Sequence, residues 1–148
     1  MFGRAYPRTR QMNEHTAIID TVLKHYPDAQ SIYLFGSYGT ERQWPNSDAD
    51  IALLLPADEA KRAGSLSMSG LRASLERLLG KDVDLINLRQ APTVFQKEII
   101  LAERRVFCAD QYAADEFEML MLSLYQKLNE ERAEVMAEGL SSGRFYDV

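Results

Sequence analysis

The stretch GSYGTERQWPNSDAD, Gly36 to Asp50, lies between two apolar runs, SIYLFG from Ser31 to Gly36 and DIALLL from Asp50 to Leu55, the second stopped by Pro56. Both runs are nearly continuous in hydrophobicity, which predicts two strands covered on both faces. Gly36 lets the backbone turn sharply and approach a ligand closely. Ser37 adds a hydroxyl and an N–H at the start of a short helical turn, a pair suited to holding a phosphate. At the other end Asp48 and Asp50 stand two residues apart, so strand geometry projects both carboxylates on one face. Two like charges held side by side repel, and hard oxygen-seeking cations such as Mg²⁺ relieve that repulsion while also taking phosphate oxygens. Ten residues separate Ser37 from Asp48, enough for one helical turn and a return through Pro45, Asn46 and Ser47.

A third apolar run, DVDLIN from Asp82 to Asn87, carries Asp84 between Val83 and Leu85. If this strand lies beside that of Asp50, Asp84 brings a third carboxylate to the cluster. Asp82 shares its face and is the rival for that role, although its place after Gly80-Lys81 reads as an exposed strand start. Around these strands the pattern predicts a helix capped by Asn13 and running through Tyr26, a helix from Ser67 to Leu79 ending at Gly80, and another from about Thr93 to Glu103. A short edge strand is expected at Arg105 to Cys108. From Asp110, Phe117, Leu120, Met121, Leu124, Tyr125 and Leu128 recur at helical spacing until Gly139 offers a stop. Such a helix would be about 42 Å long, more than a small sheet covers, so part of it should pack on something else. The tail beyond it carries Phe145 and Tyr146.

With 148 residues, 46% hydrophobic and 26% charged, the chain has the composition of one soluble globular domain. A net charge of −5 argues against a protein that coats nucleic acid through a broad basic surface, so an anionic ligand has to be held locally. Arg4, Arg8 and Arg10 form an early basic cluster whose default reading is a solvated terminus. No apolar run reaches membrane-spanning length and no signal-like segment opens the chain, so a cytoplasmic protein is expected. The lone Cys108 sits in the apolar context RVFCA and reads as a buried structural thiol.

The pattern G-S-x10-D-x-D, each half beside an apolar strand and followed by an aspartate on a third, resembles the signature of the DNA polymerase β-like nucleotidyltransferases. Its residues here are Gly36, Ser37, Asp48, Asp50 and Asp84. The small size is most similar to the minimal nucleotidyltransferase (MNT) antitoxins, which are paired with an all-helical HEPN toxin. The resemblance implies an α/β (α+β) fold with a small mixed sheet, flanking helices and a long C-terminal helix. The whole chain, 1–148, would be a single minimal domain, with its core at about 13–108, the long helix at about 110–138 and a tail at 139–148. It implies ATP as co-substrate and two Mg²⁺ ions held by Asp48, Asp50 and Asp84. Gly36 and Ser37 would hold the triphosphate, and AMP would pass to a hydroxyl, a tyrosine of the HEPN ribonuclease partner, which the antitoxin also binds as a hetero-oligomer. Direct nucleic-acid binding is not expected.

Two other activities fit the same chain less fully: neutralisation by binding alone through the long helix and tail, and transfer to a small molecule such as an antibiotic. The second needs a pocket-forming domain that the length leaves little room for. Arg42 and Lys97 as phosphate contacts, and Tyr38 and Trp44 as base-stacking groups, are each read first as surface or packing residues. RQMNEH, Arg10 to His15, matches the R-x4-H spacing of HEPN ribonucleases, but it straddles a helix start in a chain that alternates strands and helices; His15 and His25 read as surface helix residues.

Overall fold

The protein is represented by a computed structural model that describes residues 6–40, 43 and 47–142, with side chains described between Glu14 and Glu138. In chain order the elements are α1 (Tyr6–His25), β1 (Ser31–Phe35), β2 (Ala49–Leu54), α2 (Ala57–Ala63), α3 (Gly70–Leu79), β3 (Val83–Asn87), a 3₁₀ turn (Leu88–Gln90), α4 (Thr93–Leu101), β4 (Arg105–Cys108) and α5 (Gln111–Ser142). The four strands form one mixed sheet in the order β3-β2-β1-β4. β1 is antiparallel to both β2 and β4, whereas β2 and β3 are parallel. The mixed sheet, flanking helices and long last helix are those expected from the sequence.

Alternation along the strands feeds two cores. Ile32, Leu34, Ile51, Leu53, Val83 and Leu85 pack with Ile18 and Val22 of α1 and Leu71 and Leu75 of α3. Tyr33, Ala52 and Leu54 point the other way, onto Leu88, Ile99 and Ile100 and onto Ala114 and Phe117 of α5. A parallel strand pair needs both faces covered, and this chain covers them. Arg105 joins the second layer to α5 through ion pairs with Asp115 and Glu118 at 3.0 and 2.9 Å, and the Tyr33 hydroxyl donates to Glu118 at 2.8 Å. These contacts fix the first third of α5. The helix has 32 residues, about 48 Å, and beyond that first third it exposes Leu124, Leu128, Val135 and Met136.

Local chemistry explains where the observed elements differ from the expected ones. α1 begins at Tyr6, not after Asn13: Pro7 sits in the first turn, where its missing N–H costs nothing, and no breaker follows before Pro27. α3 begins at Gly70 because the Ser69 hydroxyl accepts from the Arg72 N–H at 3.2 Å and caps it there. α2, unforeseen, has only seven residues, too few to show a period, but places Asp58 and Glu59 in its first turn and Lys61 and Arg62 in its last, as the helix dipole favours. α5 continues through Gly139 to Ser142, since a single glycine weakens a helix without ending it. The tail residues Phe145 and Tyr146 lie outside the described residues. Cys108 is exposed, contrary to expectation, because β4 is an edge strand.

α4 stops at Leu101 because Glu103 adopts a left-handed φ of 55°, the one non-glycine residue to do so among those described. A side chain in that conformation costs roughly 1 kcal/mol. Glu103→Gly should therefore stabilise the fold by about 0.5 kcal/mol, net of the extra freedom that glycine gives the unfolded chain. Urea denaturation checks this; an unchanged or lower midpoint would count against the strain.

Candidate active site

The carboxylates meet where β2 and β3 begin. Asp50 and Asp84 are direct register partners in the parallel pair, so both project from the same sheet face. That face is the one α4 and α5 cover further along the strands. Asp48 lies two residues before Asp50, just ahead of β2, and is exposed. Asp82 precedes β3, its carbonyl accepting from the Ala49 N–H at 2.9 Å. Asp48, Asp82 and Asp84 line a shallow groove of about 260 Å³ with Ser67, Met68 and Arg72. Burial, then the neighbouring charges of Asp84 and Asp48, push the Asp50 carboxyl up to about 6; Arg104 opposes the shift. Asp82 is not among the groups acting on Asp50, so the geometry couples Asp50 to Asp84.

The Gly36 turn closes on the same carboxylate. β1 and β2 are antiparallel with Phe35 opposite Asp50, which brings the next residue, Gly36, over the Asp50 side chain. A Cβ on Gly36 would stand 2.1 Å from Asp50 Oδ2, and Gly36 also has a φ of +65°. Only glycine meets both demands. Beyond it the chain forms successive hydrogen-bonded turns, with Thr40 N–H donating to Ser37 O at 3.0 Å and Gln43 N–H to Thr40 O at 3.1 Å; these take the place of the expected helical turn. The structure therefore brings Gly36, Asp48, Asp50 and Asp84 together, with Ser37 at the head of the turn.

Other candidates fall elsewhere. Tyr38 is buried in the first core, its hydroxyl 3.4 Å from Glu14, and is unavailable to stack on a base. Lys97 lies 3.2 Å from the Tyr125 hydroxyl, packing α4 against α5 rather than facing the carboxylates. His15 is partly exposed and His25 exposed on α1, as read from sequence. Arg4, Arg42, Trp44, Pro45 and Asn46, and the side chains of Arg8 and Arg10, lie outside the described residues. One residue was missed. Arg104, just before β4, bonds the carbonyls of Gly36 (3.1 Å) and Tyr38 and is the cation acting on Asp50.

The donor set can be tested for a divalent cation. Among the described residues, no three potential ligands stand close enough to hold an ion as placed. Yet the oxygen donors are those a hard cation takes, and burial, with the charges of Asp84 and Asp48, disfavours the ionised Asp50 that such a cation would stabilise. Asp84 is the register partner of Asp50, and the charges of both Asp84 and Asp48 act on it, so in donor type and placement the residues fit such an ion.

The chain can be compared with known proteins on this basis. The family described as Polymerase beta, Nucleotidyltransferase matches residues 18–112, which contain the sheet and Asp48, Asp50, Asp82 and Asp84. The protein adenylyltransferase MntA of Shewanella oneidensis is 34% identical over 134 residues, 90% of this chain and 91% of the relative. A crystal structure of a toxin–antitoxin with AMP-PNP has a chain 30% identical to this one, with a TM-score of 0.64, covering 85% of this chain and 98% of its own. A complex of tri-AMPylated Shewanella oneidensis HEPN toxin with MNT antitoxin gives 29% identity and a TM-score of 0.61, covering 88% and 98%.

Proposed function

The chain belongs to the polymerase β nucleotidyltransferase family, and from that premise we propose that it is an antitoxin that transfers AMP from ATP to a tyrosine hydroxyl of a cognate HEPN ribonuclease toxin and so silences it. The observation that carries the reading is the juxtaposition of Asp50 and Asp84 in register with the Gly36 turn packed on Asp50. Similarity over nearly the full length to a protein adenylyltransferase, and to chains solved with AMP-PNP and with an AMPylated toxin, supports the substrates.

In the mechanism, Ser37 and the backbone N–H groups of its turn hold the β- and γ-phosphates. Asp48, Asp50 and Asp84 would hold Mg²⁺, which supplies charge neutralisation and orientation of the triphosphate. Asp84 accepts the proton of the incoming hydroxyl, whose oxygen bonds to the α-phosphorus as pyrophosphate leaves on the opposite side. A phenol, with a pKa of ~10, needs less activation for this than an alkyl alcohol. Asp84 and Asp48, whose charges disfavour ionised Asp50, are with it the carboxylates the reaction uses.

Contact with the partner is a second contribution, favoured by the apolar side chains that the later half of α5 leaves exposed. The two are separable. Purified chain, ATP labelled at the α-phosphate and the co-expressed HEPN protein should yield labelled HEPN protein; EDTA should abolish the label and excess Mg²⁺ restore it. A stable complex without label transfer would leave binding as the function, and label retained in EDTA would remove the metal from the account.

A further inference from the structure

We propose that Arg104 is the positioning residue of the triphosphate turn, fixing the direction in which Ser37 presents its backbone N–H; the inference rests on the nucleotide-binding role proposed above for that turn. Arg104 reaches the turn by an unusual path. Glu103 takes the left-handed conformation immediately before it. Immediately after it β4 bulges: Ile32 pairs with Phe107 but Tyr33 with Arg105, leaving Val106 as the extra residue. Bulges bend a strand and re-aim its side chains. Here the backbone of Arg104 is still tied to the sheet, its carbonyl accepting from the Leu34 N–H at 2.9 Å, while its guanidinium extends past the end of β1. There the two terminal nitrogens divide between two carbonyls, Nη1 donating to Gly36 O and Nη2 to Tyr38 O.

The consequence follows from peptide geometry. The Gly36 C=O and the Ser37 N–H belong to one trans peptide plane and point in opposite directions. Drawing that carbonyl to Arg104 turns the Ser37 N–H away from Arg104. The next clasped unit behaves alike: the Tyr38 carbonyl is held, and the Gly39 N–H of the same plane donates to Gln43 Oε1 at 2.7 Å. A planar fork with two terminal nitrogens can hold both carbonyls at once, which a single ammonium does less well. The turn is thus set before any phosphate arrives, and the ordering cost of binding is reduced. Gly39 completes the fit, since a Cβ there would come within 2.9 Å of Arg104 Nη2.

The test measures affinity for a non-hydrolysable ATP analogue with Mg²⁺, by calorimetry on the isolated chain, in wild type, R104A and R104K. Steady-state label transfer to the HEPN protein and thermal melting accompany it. R104A is expected to weaken analogue binding about tenfold and to raise KM for ATP by a similar factor, with KM for the protein acceptor unchanged. R104K should keep the fold and recover only part of the affinity. Wild-type affinity in R104A, or full recovery in R104K, would overturn the clasp. If R104A does not fold, the partial loss in folded R104K decides alone. A wild-type chain that fails to bind the analogue would overturn the nucleotide reading itself, and this inference with it.

Discussion

Asparagine in place of Asp50 is expected to lower AMP transfer on the order of 10³-fold and, in metal-free protein at pH 7, to raise the melting temperature. The two effects have one origin. Burial and the charges of Asp84 and Asp48 lift the Asp50 carboxyl from an ordinary value of 3.8 to about 6, so the folded state holds its proton more tightly than the unfolded chain does. Stability linked to this group is therefore fully present below 3.8, is lost as pH rises towards 6, and stays lost at neutral pH. Removing the charge restores it. With allowance for solvent screening the gain is about 1 kcal/mol, roughly 2–4 °C for a chain of this size. Melting curves in EDTA from pH 4 to pH 8 check the sign. The variant's advantage should vanish at the acid end, and a variant less stable than wild type at pH 7 would contradict the crowding of carboxylates.

Gly36→Ala is the second large expectation. The added Cβ would stand 2.1 Å from Asp50 Oδ2 and 3.1 Å from its Cγ, closer than atoms approach, and the φ of +65° is itself unfavourable for alanine. Asp50 or the turn must move. Transfer should fall by about 10²-fold, because a shift near 1 Å at the reacting centre costs that much, and stability by about 1–3 kcal/mol. Gly80→Ala separates the two causes. Gly80 has nearly the same φ, +67°, but nothing within 4 Å of its Cβ position, so only the backbone cost of roughly 1 kcal/mol remains. Equal activity losses in the two variants would show that the contact with Asp50 does not matter.

The strands and the two ends of the Gly36–Asp50 connection were legible in the sequence because each rests on local chemistry: apolar runs, a glycine stop, and carboxylates at a two-residue spacing. The pairing of Asp84 with Asp50 was legible only by assuming that the third run lies beside the second, and the parallel register bears that assumption out. Arg104 was not legible. It sits 68 residues from Gly36, in a pair of arginines that reads as ordinary surface charge, and it reaches the turn only because the sheet order places β4 beside β1 and a bulge redirects the chain. Tyr38 is the opposite case: although it is next to Ser37 in sequence, it reads first as a packing residue, and the turn does direct it inward to Glu14 and the core. The groove beside Asp84 likewise depends on Ser67, Met68 and Arg72, which sequence alone assigns to nothing but a helix start.

The central claim is that this chain acts on its partner by chemistry at Asp48 and Asp50, and not by contact alone. The most direct measurement is the intact mass of the HEPN protein purified after co-expression with either the wild-type chain or the D48A/D50A variant. The account predicts a HEPN protein heavier by one or more AMP groups with wild type and of unmodified mass with the variant, whose melting curve shows it folded. An AMP-modified partner in both samples, or an unmodified but silenced partner in both, would contradict it.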